Sequence, residues 1–286
     1  MLLLLTVLLL GVAHTLPVDS GNPSGNLTHL RSNLVAHGMP AAPGDFPYMG
    51  FIAHPLDYAG SCAAVLVSTT HALTHRSCGH IFTTGFPIRF NLTRSDQTSG
   101  IHVGWIKEIQ RLSIVEDPEA RDAYDLLLLT LKEEVHYDLV LKIADIKFGT
   151  VNGVVKPLDN RKNQPITVGY GKSNDSVPYM TLNYRRGNFL DDAICKRWEH
   201  YSPLAGICVG SVTEGDLLKL GDGGGALVDS MRRQHKKYSE GYSNVLIGIA
   251  AHTPGTDTGF YVRVARYCPL LQGATNQKIQ CFPYNF

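Results

Sequence analysis

The sequence predicts an all-β protein, a sandwich or a barrel. Short apolar or alternating runs recur at fairly regular intervals, many contain β-branched or aromatic residues, and clusters of Gly, Pro, Asn or Asp separate them. In order, the runs are Met49–Ala53, Ala63–Ser68, Ile88–Leu92, Trp105–Leu112, Leu126–Leu131, Ile166–Val168, Ala226–Asp229, Val245–Ala250 and Phe260–Val264. Leu126–Leu131 is near-continuous leucine and reads equally as helix by pattern. Its shortness before Lys132 favours a buried strand. No repeat of fixed period is present.

A chain of 286 residues with 44% hydrophobic content buries a sizeable core, as one large domain or two small ones. A net charge of +1 and 18% charged residues argue against a nucleic-acid partner and against disorder. Met1–Ala13 is almost wholly apolar, too short to span a bilayer, and gives way to His14, Thr15 and Pro17. Residues 1–15 therefore read as a secretory signal peptide, although no Lys or Arg precedes the apolar stretch. Residues 16–33, rich in Pro, Gly, Ser and Asn, read as a leader, and 34–286 as the folded domain. No other long apolar segment follows, so a secreted protein without a membrane span is expected.

Six cysteines in a secreted chain imply three disulfides. Fifteen pairings are possible, and the spacing suggests Cys62/Cys78, Cys195/Cys208 and Cys268/Cys281. None shows the Cys-x-x-Cys spacing of a zinc site, and no metal or cofactor is expected. Asn-x-Ser/Thr sequons begin at Asn26, Asn91 and Asn174.

The most informative stretch is Gly221-Asp-Gly-Gly-Gly-Ala-Leu227. It resembles the Gly-Asp-Ser-Gly-Gly-Pro-Leu turn of trypsin/chymotrypsin-family serine proteases, with Gly223 where the nucleophile stands. Other segments resemble the same family in the same order. Cys62-Ala-Ala-Val-Leu-Val-Ser is similar to Cys-Gly-Gly-Ser-Leu-Ile-Ser, and His71-Ala-Leu-Thr-His-Arg-Ser-Cys78 to Trp-Val-Leu-Thr-Ala-Ala-His-Cys. Tyr124-Asp125-Leu-Leu-Leu-Leu resembles Asn-Asp-Ile-Ala-Leu-Leu, and Val168-Gly-Tyr-Gly171 resembles Ser-Gly-Trp-Gly. Gly248-Ile-Ala-Ala-His-Thr253 is similar to Gly-Ile-Val-Ser-Trp-Gly, and Gly259-Phe-Tyr-Val-Arg-Val264 to Gly-Val-Tyr-Thr-Arg-Val. The resemblance implies a double β-barrel with a short C-terminal helix or loop.

It also implies a degenerate triad. Ser77 stands at the general base, Asp125 at the residue that orients it, and Gly223 at the nucleophile. A working triad needs all three, since the histidine takes the serine proton and the aspartate fixes the imidazole. Loss of such members costs on the order of a million-fold in turnover. His71, His75 and His80 lie close in sequence, and His75 reads as a polar residue near the surface of the turn. The N–H groups of Gly221 and Gly223 suit an oxyanion-type nest.

The cleft departs from the family as well. Leu217 falls where trypsin has its specificity aspartate, and Ala251-His252-Thr253 replaces the Ser-Trp-Gly edge on which substrate backbone pairs. Lys219 and the Pro254–Thr258 loop stand where the family has a flanking cysteine pair. At the activation site, Leu34-Val-Ala-His37 follows Asn33 rather than a basic residue, and Asp222 either pairs with a new N-terminus or caps its own turn. Arg232, Arg233, Lys236 and Lys237 belong to an expected hairpin loop that suits a sulfated glycan or an acidic protein surface. Arg185-Arg186 either adds to that patch or lies far from it. The segment from Cys268 to Cys281 is expected to be a short disulfide-tied loop.

Pro87-Ile-Arg-Phe-Asn91 and Pro43-Gly-Asp-Phe-Pro-Tyr48 resemble segments of the group 3 mite allergen trypsins, whose inactivated scabies-mite paralogues are implicated in binding host complement. The resemblance implies a non-catalytic protein-binding module with host proteins as partners. An azurocidin-type homologue that binds heparin-like glycans or membrane surfaces is the alternative, and residual hydrolysis a remote third.

Overall fold

Each run of apolar residues gains its partners by strand pairing. The structure, a computed structural model, describes residues 38–54, 57–114, 123–135, 145–151, 154–156, 164–171, 180–196, 198, 201–211, 217–218, 222–232, 242–251 and 258–284. In chain order the strands are β1 (Met39–Pro40), β2 (Met49–His54), β3 (Asp57–Ser68), β4 (His71–His75), β5 (Pro87–Phe90), β6 (His102–Leu112), β7 (Leu126–Leu131), β8 (Asp145–Val151), β9 (Val154–Lys156), β10 (Ile166–Gly169), β11 (Asn183–Phe189), β12 (Gly206–Ser211), β13 (Ala226–Arg232), β14 (Tyr242–Ala250), β15 (Thr258–Arg263) and β16 (Cys281–Tyr284).

Strands β2-β3-β4-β7-β6-β5 close into one barrel. A second ring runs β13-β10-β11-β12-β15-β14 and closes through β13–β14 pairing. Closure leaves neither ring with a free edge. Beyond the second ring, β8 pairs in parallel with β14, and β16 in parallel with β8. This is a trypsin-like double barrel with few helices.

The core is continuous between the rings. Met49, Val65, Leu73, Ile88, Phe90, Ile106 and Leu129 are wholly buried in the first, and Val168, Val228, Leu246, Ile249 and Val262 in the second. Tyr170, just after β10, donates its hydroxyl to the carbonyl oxygens of Leu92 (2.8 Å) and Met49 (3.3 Å). Its ring lies 5.1 Å from that of Phe51. Burying such a ring contributes roughly 1.5–3 kcal/mol, and the hydroxyl makes that burial tolerable because its polar end is satisfied.

The leucine run at Leu126–Leu131 is a strand, paired with β4 on one side and β6 on the other. One expectation is corrected and one open alternative is decided. The segment after Cys268 is not simply a loop: Cys268–Ala274 is a helix with proline in its first turn, and Cys281–Tyr284 is a strand. Proline presets the helical φ there, and Leu271 is buried beneath the turn. Arg185 does not belong to a surface patch. Alternation along β11 turns it inward at 5% exposure while Arg186 faces out.

Cysteine pairs Cys62–Cys78, Cys195–Cys208 and Cys268–Cys281 form disulfides with sequence separations of 16, 13 and 13. Loops of this size each contribute about 3 kcal/mol by restricting the unfolded chain. No helix among the described residues is long and apolar enough to cross a membrane.

Candidate functional site

The end of β4, the start of β7 and the turn before β13 carry the triad-aligned positions. Strand β4 ends at His75, and Arg76–His80 continues it as one turn of 3-10 helix containing Ser77 and Cys78. The N–H of Arg76 donates to the carbonyl of Asp125 at 2.9 Å, placing Asp125 beside Ser77 along the backbone. Gly223 arrives from the other barrel: its carbonyl accepts the N–H of Ala63 at 2.8 Å. Ala63 follows Cys62, whose disulfide to Cys78 returns to the residue after Ser77.

The turn that presents Gly223 has little freedom. Gly224 has φ +78°, and a Cβ there would collide with the Ala63 carbonyl. Asp222 is 1% exposed, and its Oδ1 accepts the N–H of Gly171 at 2.7 Å. A Cβ on Gly169 or Gly171 would strike that carboxylate, so glycine at both positions makes room for it. Gly221, the other half of the expected oxyanion-type nest, lies outside the described residues.

His75 differs from the sequence reading. It is 3% exposed and belongs to the barrel wall, not to the surface. Nδ1 accepts the backbone N–H of Ser77 at 3.2 Å and lies 2.7 Å from the Ser77 hydroxyl. Accepting at Nδ1 puts the ring proton on Nε2, which faces the Ala123 carbonyl at 3.3 Å. The imidazole is thus an N-cap for the 3-10 turn, held to the residues that precede Asp125.

Asp125 is fully buried. Its Oδ2 accepts from Nε of Arg111, a β6 side chain that sequence reasoning overlooked. Strand register explains the meeting: Arg111 pairs with Leu127 and Leu112 with Leu126, so Arg111 lies diagonally across from the residue before β7. Asp125 Oδ1 has no hydrogen-bond partner among the described residues. The signal available beforehand was a lone arginine near the end of an alternating strand, which ordinarily means a solvated side chain.

Aromatic rings occupy the flank of the site. Phe260 is met edge-on by Tyr124 (5.4 Å), Trp198 (5.6 Å) and Tyr201 (6.1 Å). Ala251, first of the three altered edge residues, packs in this cluster. The Tyr124 hydroxyl accepts the N–H of Ser202, and burial pushes its pKa up. Leu217 is wholly buried among Val209, Leu227, Ile247 and Tyr261. It presses on Gly259, where a Cβ would approach its Cδ2 to 2.9 Å.

Lys219, His252 and Thr253 lie outside the described residues, as do Asn26, Asn174, Arg233, Lys236 and Lys237. The hairpin stem is present, with β13 and β14 paired through Arg232 and Tyr242. Asn91 has φ +56° and donates from Nδ2 to the Gly100 carbonyl at 2.8 Å.

Two rings of six strands with the site at their junction define a serine-protease-type double barrel. Residues 35–271 match the Trypsin family, and the chain belongs to it. A structure of human heparin binding protein is similar, with TM-score 0.63 and 18% identity over 87% of this chain and 99% of that one. An atomic-resolution structure of the same protein gives 0.62 and 18% over 87% and 99%. A mutant of human heparin binding protein (CAP37) gives 0.61 and 17% over 84% and 95%. At this identity the likeness is one of fold.

Proposed function

We propose that this chain is a secreted, non-catalytic member of the trypsin family that works by binding host proteins, complement components foremost. Residues 1–15 would serve as the signal peptide, with 34–286 as the mature fold. The observation that carries the reading is at Asp125: the aspartate that would orient a histidine is paired with a guanidinium, while Ser77 supplies no base and Gly223 no nucleophile. A guanidinium does not shuttle protons, and glycine has no group to acylate. Leu217 supports the reading further, since an apolar side chain packed into the barrel leaves no acid to hold a basic substrate residue.

Ser77 places a hydroxyl beside the His75 imidazole, but His75 already uses Nδ1 to cap the Ser77 N–H. Complement as the partner class rests on the lost triad together with the two segments resembling group 3 mite allergen trypsins, whose inactivated paralogues are implicated in binding complement. Binding would then come from a few buried anchors on the surface rather than from the cleft. The test is the purified secreted chain with serum: capture of complement proteins and reduced lysis of sensitised red cells are expected. A chain that captures none and leaves lysis unchanged is not a complement antagonist. Labelling by a fluorophosphonate, or cleavage of a broad peptide library, would refute the non-catalytic reading itself.

A second reading is favoured by the fold shared with a heparin binding protein and by the basic hairpin that includes Arg232, Arg233, Lys236 and Lys237. Here the partner is a sulfated glycan. Heparin retention should fall with salt, and neutralising those residues should abolish it.

A further inference from the structure

We propose that Arg111 is a third silencing change in the cleft, a lock on Asp125 that would keep a restored histidine from being oriented. The inference rests on the non-catalytic reading and adds to it a residue outside the triad positions. A carboxylate taken out of water without a donor or counter-ion is costly, so a chain that loses the histidine must protonate the aspartate, replace it or give it another donor. This chain retains Asp125 fully buried and brings Arg111 to Oδ2.

Arg111 can do this because of where it sits. Its side chain is 42% exposed, so the stem reaches in from the surface of β6 while part of the group remains hydrated. The Nε–H is a fixed donor on a planar group, satisfying the carboxylate without the proton exchange that a base requires. Residue 77 follows Arg76, whose N–H is bonded to the Asp125 carbonyl, so a histidine there would begin next to an occupied carboxylate. Oδ1 has no hydrogen-bond partner among the described residues, so the lock engages one carboxylate oxygen, Oδ2.

The test uses the full secreted chain and reads the histidine directly rather than catalysis, which the altered cleft would obscure. In S77H/R111M, proton NMR should show a strongly downfield imidazole N–H, from Nδ1–H donated to Asp125. In S77H alone that resonance should be absent, and adding D125N to S77H/R111M should remove it. A downfield resonance already present in S77H, or absent from both variants, overturns the proposal. Should R111M fail to fold in a histidine background, thermal melting keeps the question open to decision. R111M should lower Tm in the chain with Asp125 and change it little in the D125N background, whereas R111K should retain most of the stability. Equal shifts in both backgrounds would show that Arg111 does not serve Asp125. Failure of these arms leaves the non-catalytic reading standing, and that reading fails on its own if the unmodified chain reacts with a fluorophosphonate.

Discussion

The hydroxyl of Ser77 lies 2.7 Å from Nδ1 of His75, and the two residues belong to one turn of chain rather than to opposite walls of a cleft. The same nitrogen accepts the Ser77 N–H, and the far side of the ring meets the Ala123 carbonyl. His75→Ala should therefore lose a cap and leave two backbone groups poorly satisfied. Loss of a cap costs about 0.5–2 kcal/mol, and the upper part of that range is expected in urea unfolding at neutral pH. His75→Asn retains an acceptor of similar reach and should cost clearly less. Equal losses for the two variants would mean that the ring serves by packing alone.

The glycines around Asp222 give a sharper contrast. Gly171→Ala places a methyl on the carboxylate whose Oδ1 holds the Gly171 N–H, so either the carboxylate or the 169–171 backbone must shift. Overpacking of a filled core costs roughly 1–3 kcal/mol, and displacement of a buried charge adds to it. Gly273→Ala is the control, because nothing lies within 4 Å of a Cβ there and the residue is helical. That variant should be neutral to about 1 kcal/mol more stable, from helix propensity. Melting temperatures of the two proteins should move in opposite directions.

Strands that bury one apolar stripe were legible in the sequence, and those stabilised by polar satisfaction were not. Leu126–Leu131 declared itself by composition. Strand β4, His-Ala-Leu-Thr-His, is equally buried but carries three polar side chains, each with its own partner. Thr74 donates to the Ala63 carbonyl at 2.7 Å, His71 meets Ser68 at 2.7 Å, and His75 meets Ser77. No periodicity encodes such pairs, because the partners come from other strands and turns. Gly223 and Ser77 were assigned from motif order alone, without geometry. Arg111 was not, since its role depends on which residue the β6–β7 register sets across from it. Arg185 stayed open for a related reason: two adjacent arginines read alike until strand alternation separates them.

Stability should fall on mild acidification through His71. It is 6% exposed, and burial lowers its pKa from 6.5, with the positive charge of Lys278 acting in the same direction. Ser68 Oγ at 2.7 Å and Thr70 Oγ1 at 3.0 Å face Nδ1, and Ser68 Oγ already accepts the Thr70 N–H, leaving its own hydrogen for the imidazole. The unfolded chain binds the proton more readily than the folded one, so stability drops as pH falls below 6.5 and levels off once the folded histidine titrates. His71→Gln should flatten that part of the stability–pH curve. An unchanged slope would assign the effect to other histidines.

The disulfide Cys268–Cys281 ties the C-terminal helix to β16, and that strand pairs with β8 through Cys281–Ile146 and Phe282–Lys147. Removing the bond with C268A/C281A should cost about 3 kcal/mol from the freed loop. The loss should not spread evenly. The turn between helix and strand retains its own hydrogen bonds: Thr275 Oγ1 donates to the Leu271 carbonyl at 2.7 Å and accepts the Ile279 N–H at 3.2 Å. Buried Leu271 and Ile279 still anchor the segment to the core. The β16–β8 pair lies outside both closed rings, so hydrogen exchange should quicken there first while β4 and β7 remain protected. The equivalent variant C62A/C78A frees the turn that holds Ser77 and should loosen the Asp125 region instead. If both variants quickened the same amides, the two disulfides would be restraining one cooperative unit, and the outer strands would be as integral to the fold as the barrels.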